Sequence, residues 1–447
     1  MDADLHTEGD LNVTSQRAAW QARQTNAATR EVLDRDSAVF VHQSLSTPCL
    51  DVLTRAEGPY IQTQSGQRLL DFHGNWVHQV GFGHPKVIAA ITEQMRTLPF
   101  CTRRYTNMPA VALAERLTSL APGNLNRVLF APGGALAMGM ALKVARMATG
   151  RFKTISMWDA FHGASLDAIS VGGEALFRQG IGPLLPGTEH APPPNPQGCP
   201  WHCGTTCSLR CAEYIEYMLA KEGDVAAVVA ETVRSTPSFP PLNYWKQVRA
   251  ACDRHGALLI LDEIPHAFGR TGRMFTCEHY DITPDILVVG KGLGGGIFPL
   301  AAMLCRDDLD LPAHTALGHY THEKNPLACA AALAMLDVIE EEGLLERTRH
   351  LGRIALNRLH QLESKHDGVK AVRGLGLMLG IDLAHPTGTD EATRAWAERV
   401  MYHTLDHGLS FKVTQGRTLL LVPALTIAED ELLHALELID AALSATL

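Results

Sequence analysis

The sequence has no long basic run, so nucleic acid is not an expected partner. No uninterrupted apolar stretch approaches the ~20 residues that span a membrane. The start, MDADLHTEGDLN, is acidic and polar, with neither the basic segment nor the apolar core of a secretory signal. No internal repeat is present. These absences point to a cytoplasmic protein with no membrane and no nucleic-acid partner, in which the ten cysteines stay mostly reduced. What is there is an ordinary globular balance: 46% hydrophobic, 19% charged, net charge −9. With 447 residues the chain can bury a large core and form two or three lobes.

Residues 1–15 read as loose and 16–40 as a polar helical lead-in. A short-strand region follows, with turns at Glu57-Gly58-Pro59 and Ser65-Gly66. From residue 85 onward, a strand end at Val128–Ala131 and strand-length apolar runs at Lys153–Met157, Val225–Glu231, Ala257–Asp262, Ile286–Val289 and Ala301–Leu304 alternate with helical patterns. Val111–Ala121, Ala135–Thr149 and Trp245–Arg254 are such patterns. The alternation predicts an α/β domain whose largely parallel sheet is buried on both faces. Past residue 326 two long helices (Pro326–Glu341 and Glu346–His366), short strands at Ala371–Leu383 and Leu419–Val422, and two further helices predict a smaller α+β lobe. The expected division is 1–84, contributing to the small lobe, 85–335 as the large domain, and 336–447 as the C-terminal small domain. The proline-rich stretch Ala191–Pro200 is an excursion from the large domain.

Four pieces carry chemistry. In LLILDEIPHAFGRTG an apolar strand delivers Asp262 to its C-terminal end, where ligands of open α/β sheets bind. An aspartate there can pair with a protonated pyridine nitrogen and keep the ring an electron sink; taken alone it is equally a strand-end cap. In DILVVGKGLGGG, Lys291 ends another apolar strand beside a glycine cluster, where desolvation would favour imine formation. The bland alternative is a solvated loop lysine. FAPGGALAMGMALK is a strand, a Gly133-Gly134 turn and a helix start, so Gly133, Gly134 and Ala135 offer backbone donors to a phosphate. In WDAFHGAS, Phe161 can stack on a planar ring while His162-Gly163 sets the turn. Together they predict pyridoxal 5'-phosphate (PLP) chemistry at an amine-bearing carbon.

These residues resemble the class III (omega-type) aminotransferase family of fold-type I PLP enzymes. The likeness runs from about residue 40 to the end, through LDFHGNWVHQVGFGHP, the Gly-Gly turn, AFHG, Glu231, LDEI, GRTG, GKGLGGG and THEKNP, in the family's order. It implies Lys291 as the Schiff-base lysine, Asp262 as the pyridinium partner, and Phe161, His162 and Glu231 as cofactor neighbours. Thr321 would reach the phosphate of the neighbouring subunit's cofactor. A homodimer with shared active sites is implied as well, with segment 1–84 adding to its interface.

The departures bear on the reaction. The family's Asn-Ser-Gly phosphate turn is replaced around Pro132, Gly133, Gly134 and Leu136, and the glutamine that contacts the ring hydroxyl is Pro265. Leu420 sits where many aminotransferases place an arginine for a substrate carboxylate, with Arg417 three residues away. Arg103 and Arg104, in CTRRYTN, suit a phosphate or phosphonate, although the same pair could be a surface pair at a helix start. With Trp76 and His78 they are the candidate substrate-binding residues. This pattern resembles the phospholyase and ammonia-lyase branch of the family. It implies elimination from an amino-hydroxy phosphonate, or a phosphorylated amine, to an aldehyde and ammonia. A transaminase passing nitrogen to a 2-oxo acid, and a non-catalytic PLP-fold binding protein, are the alternatives. Finally, CPWHCGTTCSLRC sets Cys199, Cys203, Cys207 and Cys211 at four-residue spacing. That spacing is unlike the paired C-x2-C of most zinc sites, so a structural metal and a loop of reduced or disulfide-forming thiols are both open.

Overall fold

The computed structural model describes residues 12–44, 46–203, 207–310 and 314–447. The chain forms two compact units, residues 85–342 and residues 1–84 with 343–447.

The unit of residues 85–342 is built on a seven-stranded sheet. Its order is Leu125–Ala131, Ala301–Arg306, Ile286–Val289, Leu258–Asp262, Val225–Glu231, Lys153–Met157, Thr188–Ala191. The last five in that order pair in parallel. Ala301–Arg306 runs antiparallel to both its neighbours, so the sheet is mixed. The central strands are continuous apolar runs because both faces are covered: every residue of Val225–Glu231 and Leu258–Asp262 is buried. The helix Gly134–Thr149 packs Ala137, Met138, Ala141 and Val144 onto a core with Val229, Ile260, Val288 and Met303. It closes at Gly150, φ 66°, a left-handed position that suits glycine.

Local signals set the helix starts. Asn107 accepts from Ala110 N at 3.0 Å and opens Met108–Leu120. Asn325 accepts from Leu327 N at 2.9 Å and Ala328 N at 3.1 Å, and Pro326 follows as first helical residue of Pro326–Glu341.

The other unit holds two four-stranded sheets. One joins Leu53–Glu57, Tyr60–Thr63 and Arg68–Asp71 to the short strand Leu409–Ser410; the other joins Val369–Leu375, Met378–Leu383, Thr418–Leu421 and Lys412–Thr414. The helices Leu344–Lys365, Asp390–Asp406 and Glu429–Thr446 belong to it. Leu420 is buried and pairs with Gly380 and Lys412. Arg417 faces Asp390 at 3.6 Å on the surface. Among the described residues no helix is long and apolar enough to cross a membrane.

Because Ile260 is fully buried in the central strand, Ile260→Ala should cost about 2–5 kcal/mol and Ile260→Val about 1 kcal/mol. Urea midpoints of the two variants check this, and equal midpoints would show that the strand repacks freely.

Candidate active site

The ends of five strands that run the same way gather the candidate residues. Glu231 and Asp262 stand opposite each other in the parallel register. Lys291 lies two residues beyond Val289, and Phe161 and His162 follow Met157. Gly133 and Gly134 follow Ala131.

Glycine contacts show how closely these turns approach. A Cβ on Gly163 would come 2.6 Å from the Cβ of Ala135, so the AFHG turn presses on the start of Gly134–Thr149. A Cβ on Gly134 would meet Ile264 at 2.8 Å, and one on Gly290 would meet the same Ile264 at 3.3 Å. Ile264 is therefore wedged between the Gly-Gly turn and the residue preceding Lys291. Lys291 itself has φ 44°, a left-handed conformation that a lysine adopts at a cost of order 1 kcal/mol.

Asp262 is almost wholly buried. His162 Nδ1 donates to its Oδ2 at 2.8 Å, and Ile264 N donates to its Oδ1 at 3.0 Å. A carboxylate only accepts, so the His162 proton sits on Nδ1. His162 thus does more than set a turn: it aims the carboxylate.

Glu231 is held by Arg234, whose Nη1 is 2.7 Å away, while Arg234 Nη2 reaches Glu174 at 2.8 Å. Burial alone would lower the pKa of Arg234, but the two carboxylates more than offset it and hold it above its ordinary value. Glu263 accepts from Thr232 Oγ1 at 2.8 Å, Thr276 N at 2.6 Å and Cys277 N at 2.7 Å. Burial outweighs these donors and pushes its carboxyl up to about 7. His266 donates or accepts at Thr276 Oγ1 over 2.9 Å and is depressed to about 3, first by burial and further by the charge of Lys291, with Asp262 opposing. Pro265 is buried in the same turn. Reading along the chain missed Arg234, Glu174, Glu263 and His266; only Arg234, three residues after Glu231, carried a local hint.

Phe161 packs on Phe177, ring centroids 4.4 Å apart. Arg103 and Arg104 lie in an exposed turn before Met108–Leu120. Arg103 is engaged: Nε donates to Glu323 Oε1 at 3.1 Å and Nη1 lies 3.0 Å from His319 Nε2. With Asn107 Nδ2 donating to Lys324 O at 3.1 Å and Phe100 edge-on to His322 at 5.3 Å, CTRRYTN is bound to the segment around exposed Thr321. The two arginines are thus not an equivalent pair.

Trp76 and His78 belong to the unit containing residues 1–84. Trp76 is buried with φ 65°, and His78 is fully buried, its Nε2 3.3 Å from Asp71 O and its ring 5.2 Å from Phe82. Asp71 caps this turn through His73 N and Gly74 N, and burial raises its pKa to about 6. The Sγ atoms of Cys199 and Cys203 are 3.5 Å apart. Among the described residues, no group of three or more His, Cys, Asp or Glu side chains could hold a metal ion.

A buried aspartate on a central strand end, a lysine two residues beyond the next strand, and a Gly-Gly turn opening a helix define an α/β enzyme equipped for a phosphorylated pyridine cofactor. The profile of the family Aminotransferase class-III matches residues 42–443, and the chain belongs to that family. The (R)-1-hydroxy-2-aminoethylphosphonate ammonia-lyase of Vibrio splendidus is 48% identical over 458 residues, covering 98% of this chain and 95% of that protein. Acetylornithine aminotransferase of Methanopyrus kandleri is 35% identical, covering 92% of this chain and 98% of that one. An amine transaminase from an uncultivated Pseudomonas species, solved in its PLP-bound form, superposes with TM-score 0.84 at 31% identity, covering 91% and 98%. This chain is a PLP-dependent enzyme of fold type I. Its residues fit that cofactor: an anchored carboxylate for the ring nitrogen, first-turn N–H groups for the phosphate, and an amine beside them.

His266 is neutral in the fold while an unfolded histidine takes a proton near 6.5. Its contribution to stability is therefore complete above pH 6.5 and is lost as pH falls toward about 3. Between pH 7.5 and 5.5 the wild type should lose about 1.4 kcal/mol more than His266→Gln. Urea midpoints at the two pH values measure this; parallel losses would mean that His266 does not control the acid limb.

Proposed function

We propose that this enzyme is an ammonia-lyase that eliminates from an amino-hydroxy phosphonate, the class to which 1-hydroxy-2-aminoethylphosphonate belongs. The observation that carries the reading is the 48% identity with the Vibrio splendidus ammonia-lyase over nearly the whole chain. Two features of this chain support it. Leu420, an apolar buried residue, occupies the position aligned with a carboxylate-gripping arginine, and Arg104 offers an exposed guanidinium that can meet a phosphonate's paired oxygens.

When bound, PLP supplies an electron sink for charge developing at the carbon that bears the amine. The chain's own residues do the rest. Asp262, aimed by His162 and Ile264 N, would pair with the ring nitrogen. Backbone donors at Gly133, Gly134 and Ala135 would hold the phosphate, Phe161 would cover the ring, and Glu231, opposite Asp262 in the register, is paired with Arg234. Lys291 would hold the cofactor and, with substrate bound, would take the proton from the amine-bearing carbon as general base. Its backbone is left-handed, and Gly290 before it packs on Ile264, the side chain that also meets Gly134. Hydroxide leaves from the neighbouring carbon and departs with that proton as water. The enamine tautomerises, takes up water, and gives an aldehyde and ammonia. A cytoplasmic homodimer, with Thr321 reaching the neighbouring cofactor's phosphate, completes the proposal; Thr321 is exposed, as that role requires.

The purified holoenzyme should release ammonia from 1-hydroxy-2-aminoethylphosphonate over many turnovers without any 2-oxo acid. Lys291→Ala should lower the rate at least 10²–10⁴-fold, the span of general-base catalysis. Turnover that appears only with pyruvate or 2-oxoglutarate would make the enzyme an aminotransferase instead. Arg104→Ala should raise KM for the phosphonate roughly 10-fold or more with little change in kcat, as expected for loss of a charged hydrogen bond. Arg103→Ala should act more weakly on KM, since Glu323 already engages that side chain.

A further inference from the structure

The cysteine loop takes no part in the site described above. His202 N donates to Cys199 O at 3.0 Å, and this turn brings the Sγ atoms of Cys199 and Cys203 to 3.5 Å. A disulfide needs about 2.05 Å between sulfurs, so closing the bond requires the two Sγ atoms to approach from 3.5 Å. Both thiols are partly exposed. The loop is anchored before and within the turn: Asn195 Oδ1 accepts from Ser238 Oγ at 3.3 Å, and Trp201 rests against Tyr214, centroids 6.0 Å apart.

The cysteines differ in chemistry. Ser208 is the main cause that holds the Cys203 thiol down to about 7, with its Oγ 3.3 Å from Sγ, and the thiols of Cys199 and, more weakly, Cys207 add to it. Burial pushes Cys211 and Cys252 up to about 12, so those thiols are inert at neutral pH. One activated, accessible thiol with a second thiol in contact is the arrangement of an attacking and a resolving cysteine.

We propose that Cys199 and Cys203 form a peroxide-responsive dithiol that cycles between two thiols and one disulfide. The Cys203 thiolate attacks one oxygen of hydrogen peroxide and the O–O bond breaks. Hydroxide leaves, gains the proton released from Cys203, and becomes water; Cys203 then carries a sulfenic acid. The Sγ of Cys199 displaces the sulfenic hydroxyl, which departs with the Cys199 proton as a second water, and the S–S bond forms. Two thiols lose two electrons and one peroxide becomes two waters. A low-molecular-weight thiol restores the pair by exchange.

The test uses the full-length holoenzyme, treated with a small excess of hydrogen peroxide and digested with trypsin. The peptide between Arg178 and Arg210 should lose two hydrogens, with fragment masses placing the bond between Cys199 and Cys203. Cys199→Ser should leave a sulfenic acid at Cys203 that dimedone traps, Cys203→Ser should abolish the bond, and Cys207→Ser should leave it intact. Iodoacetamide at pH 7 should alkylate Cys203 roughly 3–10-fold faster than exposed Cys49, given the larger thiolate fraction and its weaker nucleophilicity. A disulfide through Cys207, alkylation no faster than at Cys49, or stoichiometric zinc lost on Cys203→Ser would each overturn the proposal.

Discussion

A carboxylate at the end of a fully buried strand is the constraint around which this fold is arranged. Asp262 is almost wholly buried at the end of an apolar strand, where a carboxylate needs hydrogen-bond donors. Three things keep it usable: the Nδ1–H of His162, the N–H of Ile264, and a place among strand ends that a cationic ring nitrogen can share. Each makes a demand on the chain. The histidine must come from the turn after Lys153–Met157, two strands across the sheet, so that turn must pack against the start of Gly134–Thr149. That packing requires glycine at 163. The backbone donor requires the sharp turn at residue 263, which Glu263 secures through Thr232, Thr276 and Cys277. The Gly-Gly turn, Ile264 and Gly290 then close up on one another.

How much of this could be read along the chain follows from the range of each signal. Asp262, Lys291 and the Gly-Gly turn were legible because each sits at a change from an apolar run to a turn, and such changes are local. Most of the strand runs were legible for the same reason, although the first begins at Leu125 rather than Val128 and the edge strand Thr188–Ala191 was missed, its residues being polar and short of an apolar run. Strand direction was not: Ala301–Arg306 is buried on both faces and reads like its parallel neighbours, yet it runs the other way. Burial on two faces sets composition, whereas direction is set by the connections. The ion pairs were hidden for another reason. Arg234 and Glu174, and Arg103 and Glu323, are far apart in sequence and meet only through the fold. Two adjacent arginines therefore looked equivalent when one of them is already committed.

The same cofactor-facing residues serve more than one outcome, and this bears on how the reaction is chosen. Removing a proton from the amine-bearing carbon begins both an elimination and an amino-group transfer. What differs is the neighbouring carbon. If it carries a hydroxyl aligned to leave, loss of hydroxide competes with reprotonation; if it does not, transfer is the remaining course. The selection therefore lies with the groups that orient the substrate's far end, and those are the groups in which this chain departs from an aminotransferase. In the proposed reading, Arg104, whose side chain has no hydrogen-bond or ion-pair partner among the described residues, is such a group. Under that reading, a phosphonate held at its far end would fix the carbon between it and the amine, which is the carbon whose hydroxyl must depart. A group that orients the substrate away from the reacting carbon can thus decide the reaction without touching the reacting bonds.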